Sequence, residues 1–236
     1  MSRVSYYPPI LGYHRVGGFK GDHVPTVSAE TFERQLAFLA KGRYRVLGLG
    51  EVATCLGQAQ PLPRHSVAIT FDDGYAETHE IAWPLLKRFG FPATVFVAPA
   101  EVGWPGFVTW HQVTAMAQDG VTIGCHTMHH SYLPLVQAER LPEELVQSKQ
   151  VIEERIGRPV TLLSYPVGGF TSQVQSAVQQ AGYAAACTTN RASSHPGIDP
   201  YALRRIKITE RDSNTMLFWA KLSGYYDVFR RLRDPA

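Results

Sequence analysis

Two short runs in this chain carry side chains able to hold and use one divalent metal ion. Thr70-Phe71-Asp72-Asp73-Gly74 ends the apolar stretch Val67-Ala68-Ile69, and His126-Thr127-Met128-His129-His130 ends Val121-Thr122-Ile123. Carboxylate and imidazole are donors that divalent first-row metals accept. Side chains alternate along a strand, so Asp72 and Asp73 share a site only if the chain is already turning, which Gly74 permits. In one extended strand His126 and His130 would stand roughly 13 Å apart. A single ion, with nitrogen bonds of about 2.0 to 2.1 Å, cannot span that. The chain must therefore leave the strand just after His126.

The elements that position these runs alternate between strand-like and helix-like segments, the rhythm of an α/β fold. Strands are expected over residues 10–14, 44–49, from 67, 93–98, 121–126, 160–164, 183–187 and 203–208. Ser28 offers an N-cap to a helix with the apolar stripe Phe32, Leu36 and Leu39 and a stop at Gly42. Further helices are expected over 51–56, 77–89 with an interruption at Pro84, 110–118, 142–156, 172–181 and 214–222. No repeat, linker or low-complexity tract divides the chain, so residues 1–236 read as a single domain. His14, Asp72 with Asp73, His126 and the Pro166-Val167 turn all fall at C-terminal ends of expected strands. In a (β/α) barrel that is the face where active sites are built.

Taken in this order and after β-like runs, Thr-Phe-Asp-Asp-Gly and His-Thr-x-x-His resemble the polysaccharide deacetylase family, the NodB-like carbohydrate esterases. The resemblance extends over nearly the whole chain, through Gly12-Tyr13-His14-Arg15-Val16, residues 32–42, Pro92-Ala93-Thr94-Val95-Phe96-Val97 and Ser164-Tyr165-Pro166-Val167-Gly168. It implies a distorted, incomplete (β/α) barrel of about seven strands and the removal of acetyl groups from N-acetylated sugars with a metal.

Roles follow as expectations. Asp73, His126 and His130 leave open positions on an ion, the pattern of a catalytic zinc site, although Co²⁺, Ni²⁺ and Fe²⁺ accept the same donors. Asp72 is the expected general base. The resemblance adds the backbone N–H of Val167 as an oxyanion donor, at a position where the family usually carries Tyr. Many relatives place an acid histidine in a C-terminal Leu-x-x-His motif, which is absent here, since the last histidine, His195, lies in Ser-Ser-His-Pro. A branch with Tyr-His near its N-terminus resembles this chain instead, and makes His14 the expected general acid. The family's third motif commonly supplies an Arg that positions the base. Here Ser164-Tyr165-Pro166 stands in its place, and Arg204 or Arg205 would have to compensate, alternation sending one of them inward. Tyr165, Pro166, Val167 and Trp110 are the expected substrate contacts, with Trp104 and Phe107 as further sugar platforms.

Composition is that of an ordinary enzyme able to bury a core, with 44% hydrophobic and 18% charged residues. A net charge of +3 with dispersed basic residues points to no nucleic-acid partner. The one basic run, Phe229-Arg230-Arg231-Leu232-Arg233, reads as a solvated tail. Three widely spaced cysteines, Cys55, Cys125 and Cys187, give no disulfide framework and suit a reducing compartment, and Cys125 should face away from His126. No signal-like or membrane-spanning apolar run is visible, so a cytoplasmic location without an integral membrane segment is expected, although many family members are exported. The partner is then an acetylated carbohydrate, with oligomeric state open. Alternatives are an amidase or O-acetyl esterase on the same scaffold, a catalytically silent carbohydrate-binding protein and, from the two-histidine, one-carboxylate set, a ferrous oxygenase.

Overall fold

The structure, a computed structural model, describes residues 7–17, 24–189 and 199–223. His195 and the basic run 229–233 lie outside the described residues. The strands are β1 (Ile10–Tyr13), β2 (Arg15–Val16), β3 (Thr26–Val27), β4 (Arg45–Val46), β5 (Ser66–Phe71), β6 (Thr94–Val97), β7 (Thr122–Cys125), β8 (Leu162–Ser164), β9 (Ala185–Thr188), β10 (Leu203–Arg204) and β11 (Ile206–Lys207). The helices are α1 (Ala29–Lys41), α2 (Leu49–Gly57), α3 (Trp83–Phe89), α4 (Trp110–Gln118), α5 (Ser148–Ile156), α6 (Ser172–Gln180) and α7 (Thr215–Leu222).

Local chemistry explains most boundaries. Ser28 accepts the Thr31 N–H at 3.2 Å and starts α1, which buries Phe32, Leu36 and Leu39. Thr109 and Gln112 form a reciprocal capping box at α4, and Asn214 caps α7. Two expectations take definite shape. Pro84 lies where the helical run of residues 76–89 passes from a widened π turn at Thr78–Ala82 into α3, so the expected interruption is a change of helix type, with helical dihedrals kept at Ala82 and Trp83. The strand expected over 44–49 shrinks to Arg45–Val46, because Leu49 already belongs to α2.

The main sheet is parallel throughout, in the order β10-β9-β8-β7-β6-β5-β1-β11, with β4 beside β5. The ends of this order meet in one stretch of chain. Leu203 and Arg204 pair with Cys187 and Thr188 of β9, and after Arg205 the chain changes partner, placing Ile206 and Lys207 against Leu11 and Gly12 of β1. Residues 203–207 thus close the ring. Counted as one pass, β10 and β11 complete a ring of seven strands among the described residues, the distorted barrel expected, with β4 as an eighth strand outside it.

Alternation divides the strand residues between two cores. Leu11, Tyr13, Val67, Ile69, Phe71, Val95, Val97, Ile123, Cys125, Leu163 and Tyr165 pack outward against the helices. Ile10, Ala68, Phe96, Leu162, Ala185, Cys187 and Leu203 point the other way and meet Leu49, Val52, Ala53 and Leu56 of α2. Most of these start their strands, so α2 plugs the N-terminal end with apolar groups. The same inward register continues upward to Thr70, Asp72, His126, Ser164 and Arg205, which leaves the polar chemistry at the C-terminal end. Among the described residues no helix is long and apolar enough to cross a membrane.

Candidate active site

Asp72 leaves β5 still in the inward register, its N–H bonded to the Tyr13 carbonyl at 3.0 Å. The chain then turns sharply. Asp73 takes φ 70° and Gly74 φ 73°, so the second carboxylate is brought round to the same opening as the first. Gly74 is required sterically as well, since a Cβ there would come within 3.0 Å of Val97 Cγ1.

His126 continues the inward register of β7, and Thr127, at φ 65°, turns the chain out of the strand as the ligand spacing demands. His130, itself at φ 54°, then returns to the cluster. The Nε2 atoms of His126 and His130 each stand 3.3 Å from Asp73 Oδ1. Donors on one tetrahedral ion with bonds of about 2.1 Å would be spaced about 3.4 Å apart. Candidate ligand atoms of Asp73, His126 and His130 all lie within 4.8 Å of one another.

Two further details fit a metal. Asp73 Oδ1 is buried, and among the described residues no hydrogen bond reaches it. His126 Nδ1 lies 2.7 Å from the Ser164 carbonyl. A carbonyl can only accept, so Nδ1 carries the proton and Nε2 presents its lone pair to the cluster.

Asp72 is held apart from this group by Arg205, whose Nη1 and Nη2 donate to Oδ1 and Oδ2 at 2.7 and 2.6 Å. The guanidinium also donates to Thr70 Oγ at 3.1 Å and to Ser164 Oγ at 2.8 Å. Burial by itself would raise the Asp72 pKa, but the charge and hydrogen bonds of Arg205 bring it below the ordinary carboxylate value. His14 Nε2 stands 3.9 Å from Asp72 Oδ2, adjacent but not bonded. Burial lowers the His14 pKa, against the opposing pull of both aspartates.

A polysaccharide deacetylase family model matches residues 59–186, which include Asp72, Asp73, His126 and His130. The chain belongs to the polysaccharide deacetylase family. A Bacillus subtilis protein, YxkH, whose name places it among polysaccharide deacetylases, is 30% identical over 85% of this chain and 71% of its own length. A Staphylococcus aureus poly-beta-1,6-N-acetyl-D-glucosamine N-deacetylase is 24% identical over 78% of this chain and 68% of its own. The solved structure of IcaB from Ammonifex degensii superposes with a TM-score of 0.78 at 27% identity, covering 90% of this chain and 96% of that one. The barrel is therefore the NodB-like deacetylase fold, and the chain is a hydrolase of that family.

In this family member Arg205 is the inward residue of the Arg204–Arg205 pair. It follows Leu203, which lies in the inner core, by two positions, whereas the Arg204 carbonyl accepts the Tyr7 hydroxyl at 3.2 Å. Among the expected substrate contacts, Tyr165 needs correction. Its ring packs outward, 1% exposed, stacked on Phe170 at 4.7 Å with its hydroxyl on the Tyr201 carbonyl, so it cannot offer a face to a sugar. Strand alternation after Ser164 is the reason. Pro166 is buried too. Trp110 is half-buried against the outer core under the Arg155 guanidinium, which gives it a packing role. Val167 alone of that set is open, 77% exposed at φ 59°. On the loop after β6, Trp104 is 60% exposed, and Phe107 stacks on Tyr75 at 5.0 Å.

Sequence reasoning overlooked four contributors. Thr70 and Ser164 could have been found by counting two back from Asp72 and along β8. Tyr75 lies under the Arg15 guanidinium, 4.0 Å from its ring centroid, and burial followed by the Asp73 charge pushes its hydroxyl up to about 12. Glu144 accepts from the Met128 and His129 N–H groups at 3.0 and 3.1 Å, and from His129 Nδ1 and Ser131 Oγ at 3.0 and 2.9 Å. Burial would raise its pKa, yet these donors hold it below the ordinary value. His129 is thereby turned to Glu144 and away from the ligand set.

Proposed function

We propose that this chain is a metal-dependent de-N-acetylase acting on an N-acetylated amino sugar in a polysaccharide or glycan precursor, with residues 1–236 working as one catalytic domain. The observation that carries this reading is the convergence of Asp73, His126 and His130 on one point beside Asp72, which Arg205 keeps ionised and aimed. The name of the Staphylococcus aureus relative, an N-deacetylase of an N-acetylglucosamine polymer, supports the substrate class.

Asp73, His126 and His130 would hold the ion, with Zn²⁺ the leading candidate and Co²⁺, Ni²⁺ or Fe²⁺ suited to the same donors. When bound, such an ion supplies Lewis acidity and brings the pKa of water toward about 7. Asp72 removes a proton from the water that attacks the acetyl carbonyl. Each of its oxygens gives one lone pair to Arg205 and keeps another for this step. The arginine makes Asp72 a weaker base but fixes its orientation, and a correctly placed ionised carboxylate is what the attack needs. His14 delivers a proton to the departing nitrogen, without which the C–N bond does not break. The backbone N–H of Val167, in the turn after β8, is the donor assigned to the developing oxyanion.

The test is acetate release from a β-1,6-linked N-acetylglucosamine oligomer and from an O-acetylated sugar, with parent and Asp72→Asn protein, before and after chelation and Zn²⁺ return. Release from the N-acetyl substrate that needs both Asp72 and metal is the expected result. Release from the ester alone would make the chain an esterase. Sugar binding without any acetate would make it a silent binding protein.

A further inference from the structure

The segment between the two ligand histidines is held in an unfavourable shape. Thr127 and His130 both occupy the left-handed region, which residues with a Cβ avoid. The local bond across this turn, from the Ser131 N–H to Thr127 Oγ at 3.1 Å, closes one loop of chain but does not orient His130 against the barrel. Two contacts do so: the Ala100 N–H donates to the Met128 carbonyl at 3.0 Å, and Glu144, whose side chain is 1% exposed, gathers further donors from the loop.

A buried carboxylate is costly unless hydrogen bonds replace its hydration. All four donors found on the Glu144 carboxylate come from residues 128–131, one pair on each oxygen. The clamp is anchored in turn to the strand that carries His126. Ser148 Oγ donates to the Glu144 carbonyl at 2.6 Å, and Cys125 Sγ, one residue before His126, donates to Ser148 Oγ at 3.2 Å. Glu144 therefore ties the start of the crossover into α5 both to the end of β7 and to the loop that returns His130 to Asp73.

We propose that Glu144 is a positioning residue for the metal centre, clamping the 127–131 loop so that His130 meets Asp73 and His126 before any ion arrives. The inference rests on the reading that Asp73, His126 and His130 bind a divalent ion. It makes part of the metal affinity a property of a carboxylate that never touches the ion. A Gln at this position would keep the volume but present an NH₂ to groups that are themselves donors, so the clamp would lose contacts on one side.

The experiment is Zn²⁺ affinity by competition with a chromogenic chelator, together with the visible spectrum of the Co²⁺-loaded protein and melting of the metal-free protein, for parent, Glu144→Gln and Ser131→Ala. Partners lying behind metal ligands typically alter affinity by about 10- to 100-fold. Glu144→Gln is accordingly expected to bind Zn²⁺ at least about ten-fold more weakly and to show an altered Co²⁺ spectrum. A lowered melting temperature with unchanged Zn²⁺ affinity and Co²⁺ spectrum would overturn the proposal, since that is what a purely structural residue gives. Should Glu144→Gln not fold, Ser131→Ala removes one donor from the same carboxylate and is expected to weaken Zn²⁺ about three-fold. Unchanged affinity there would likewise overturn it. Parent protein that binds neither ion would sink the metal-site reading itself, and the inference with it.

Discussion

Arg205 holds Asp72 through two parallel hydrogen bonds of 2.7 and 2.6 Å, and it does so from the point at which the barrel closes. The chain changes partner from β9 to β1 at this residue, so closing the ring and aiming the Asp72 carboxylate are one structural event. An Arg supplied from the third motif would be separable from closure. Here it is not, which sets the expected cost of losing it.

Arg205→Ala leaves a buried carboxylate without its partner, a change that costs about 3–5 kcal/mol in such pairs. A large fall in melting temperature and near-complete loss of acetate release are expected. Arg205→Lys restores the charge but not the two-pronged geometry and should fold better while remaining impaired in kcat.

The same pair sets an acid dependence. Asp72 has a depressed pKa when folded, and its unfolded value is about 3.9. Its contribution to stability is therefore fully present above that value and is lost as pH falls through the lower folded value. With chelator present, the parent should keep this contribution at pH 5 and lose it progressively in more acidic solution. In Arg205→Met, where burial is no longer opposed by the guanidinium, the folded pKa rises and the stability lost on acidification should shrink. Denaturant melts across pH 2 to 6 measure both, and coincident profiles would refute the assignment.

Removing a ligand should separate metal from fold. The parent is expected to retain roughly one ion per chain after zinc incubation and desalting, and His130→Ala, at a half-exposed position, is expected to stay folded and lose most of it. Elemental mass spectrometry reads this directly.

The proposed mechanism gives His14 and Asp72 distinct proton transfers. Replacing either with a group that cannot transfer a proton, as in His14→Ala or Asp72→Asn, should lower kcat by about 10²- to 10⁴-fold with metal content unchanged. A more activated acetyl substrate, whose leaving group needs no proton, should rescue His14→Ala and not Asp72→Asn.

Val167 holds a left-handed conformation with a β-branched side chain, 77% exposed. Such a residue stores about 1–2 kcal/mol, partly offset in Gly by chain entropy. Val167→Gly should raise the melting temperature slightly. If only the N–H contributes to catalysis, kcat/KM should change less than about three-fold. A larger drop would show that the isopropyl group itself touches substrate.

The sequence by itself determined the strand–helix rhythm, the cap at Ser28, and which carboxylate and imidazoles, Asp73, His126 and His130, could be brought to one point. These are local matters, governed by side-chain type, spacing and the period of a strand. It also required that the chain turn after His126, because no ion can span an extended five-residue run. Only the tertiary structure decided which arginine serves Asp72, because that depends on where residues 203–207 change partner, a contact 133 residues away along the chain. It decided that Tyr165 packs outward, since the inward register at Ser164 leaves its neighbour no other side. It also brought Glu144 beneath the 127–131 loop. Nothing local distinguishes that glutamate from Glu143, and only the docking of the segment leading into α5 against β7 buries one carboxylate and leaves the other at the surface.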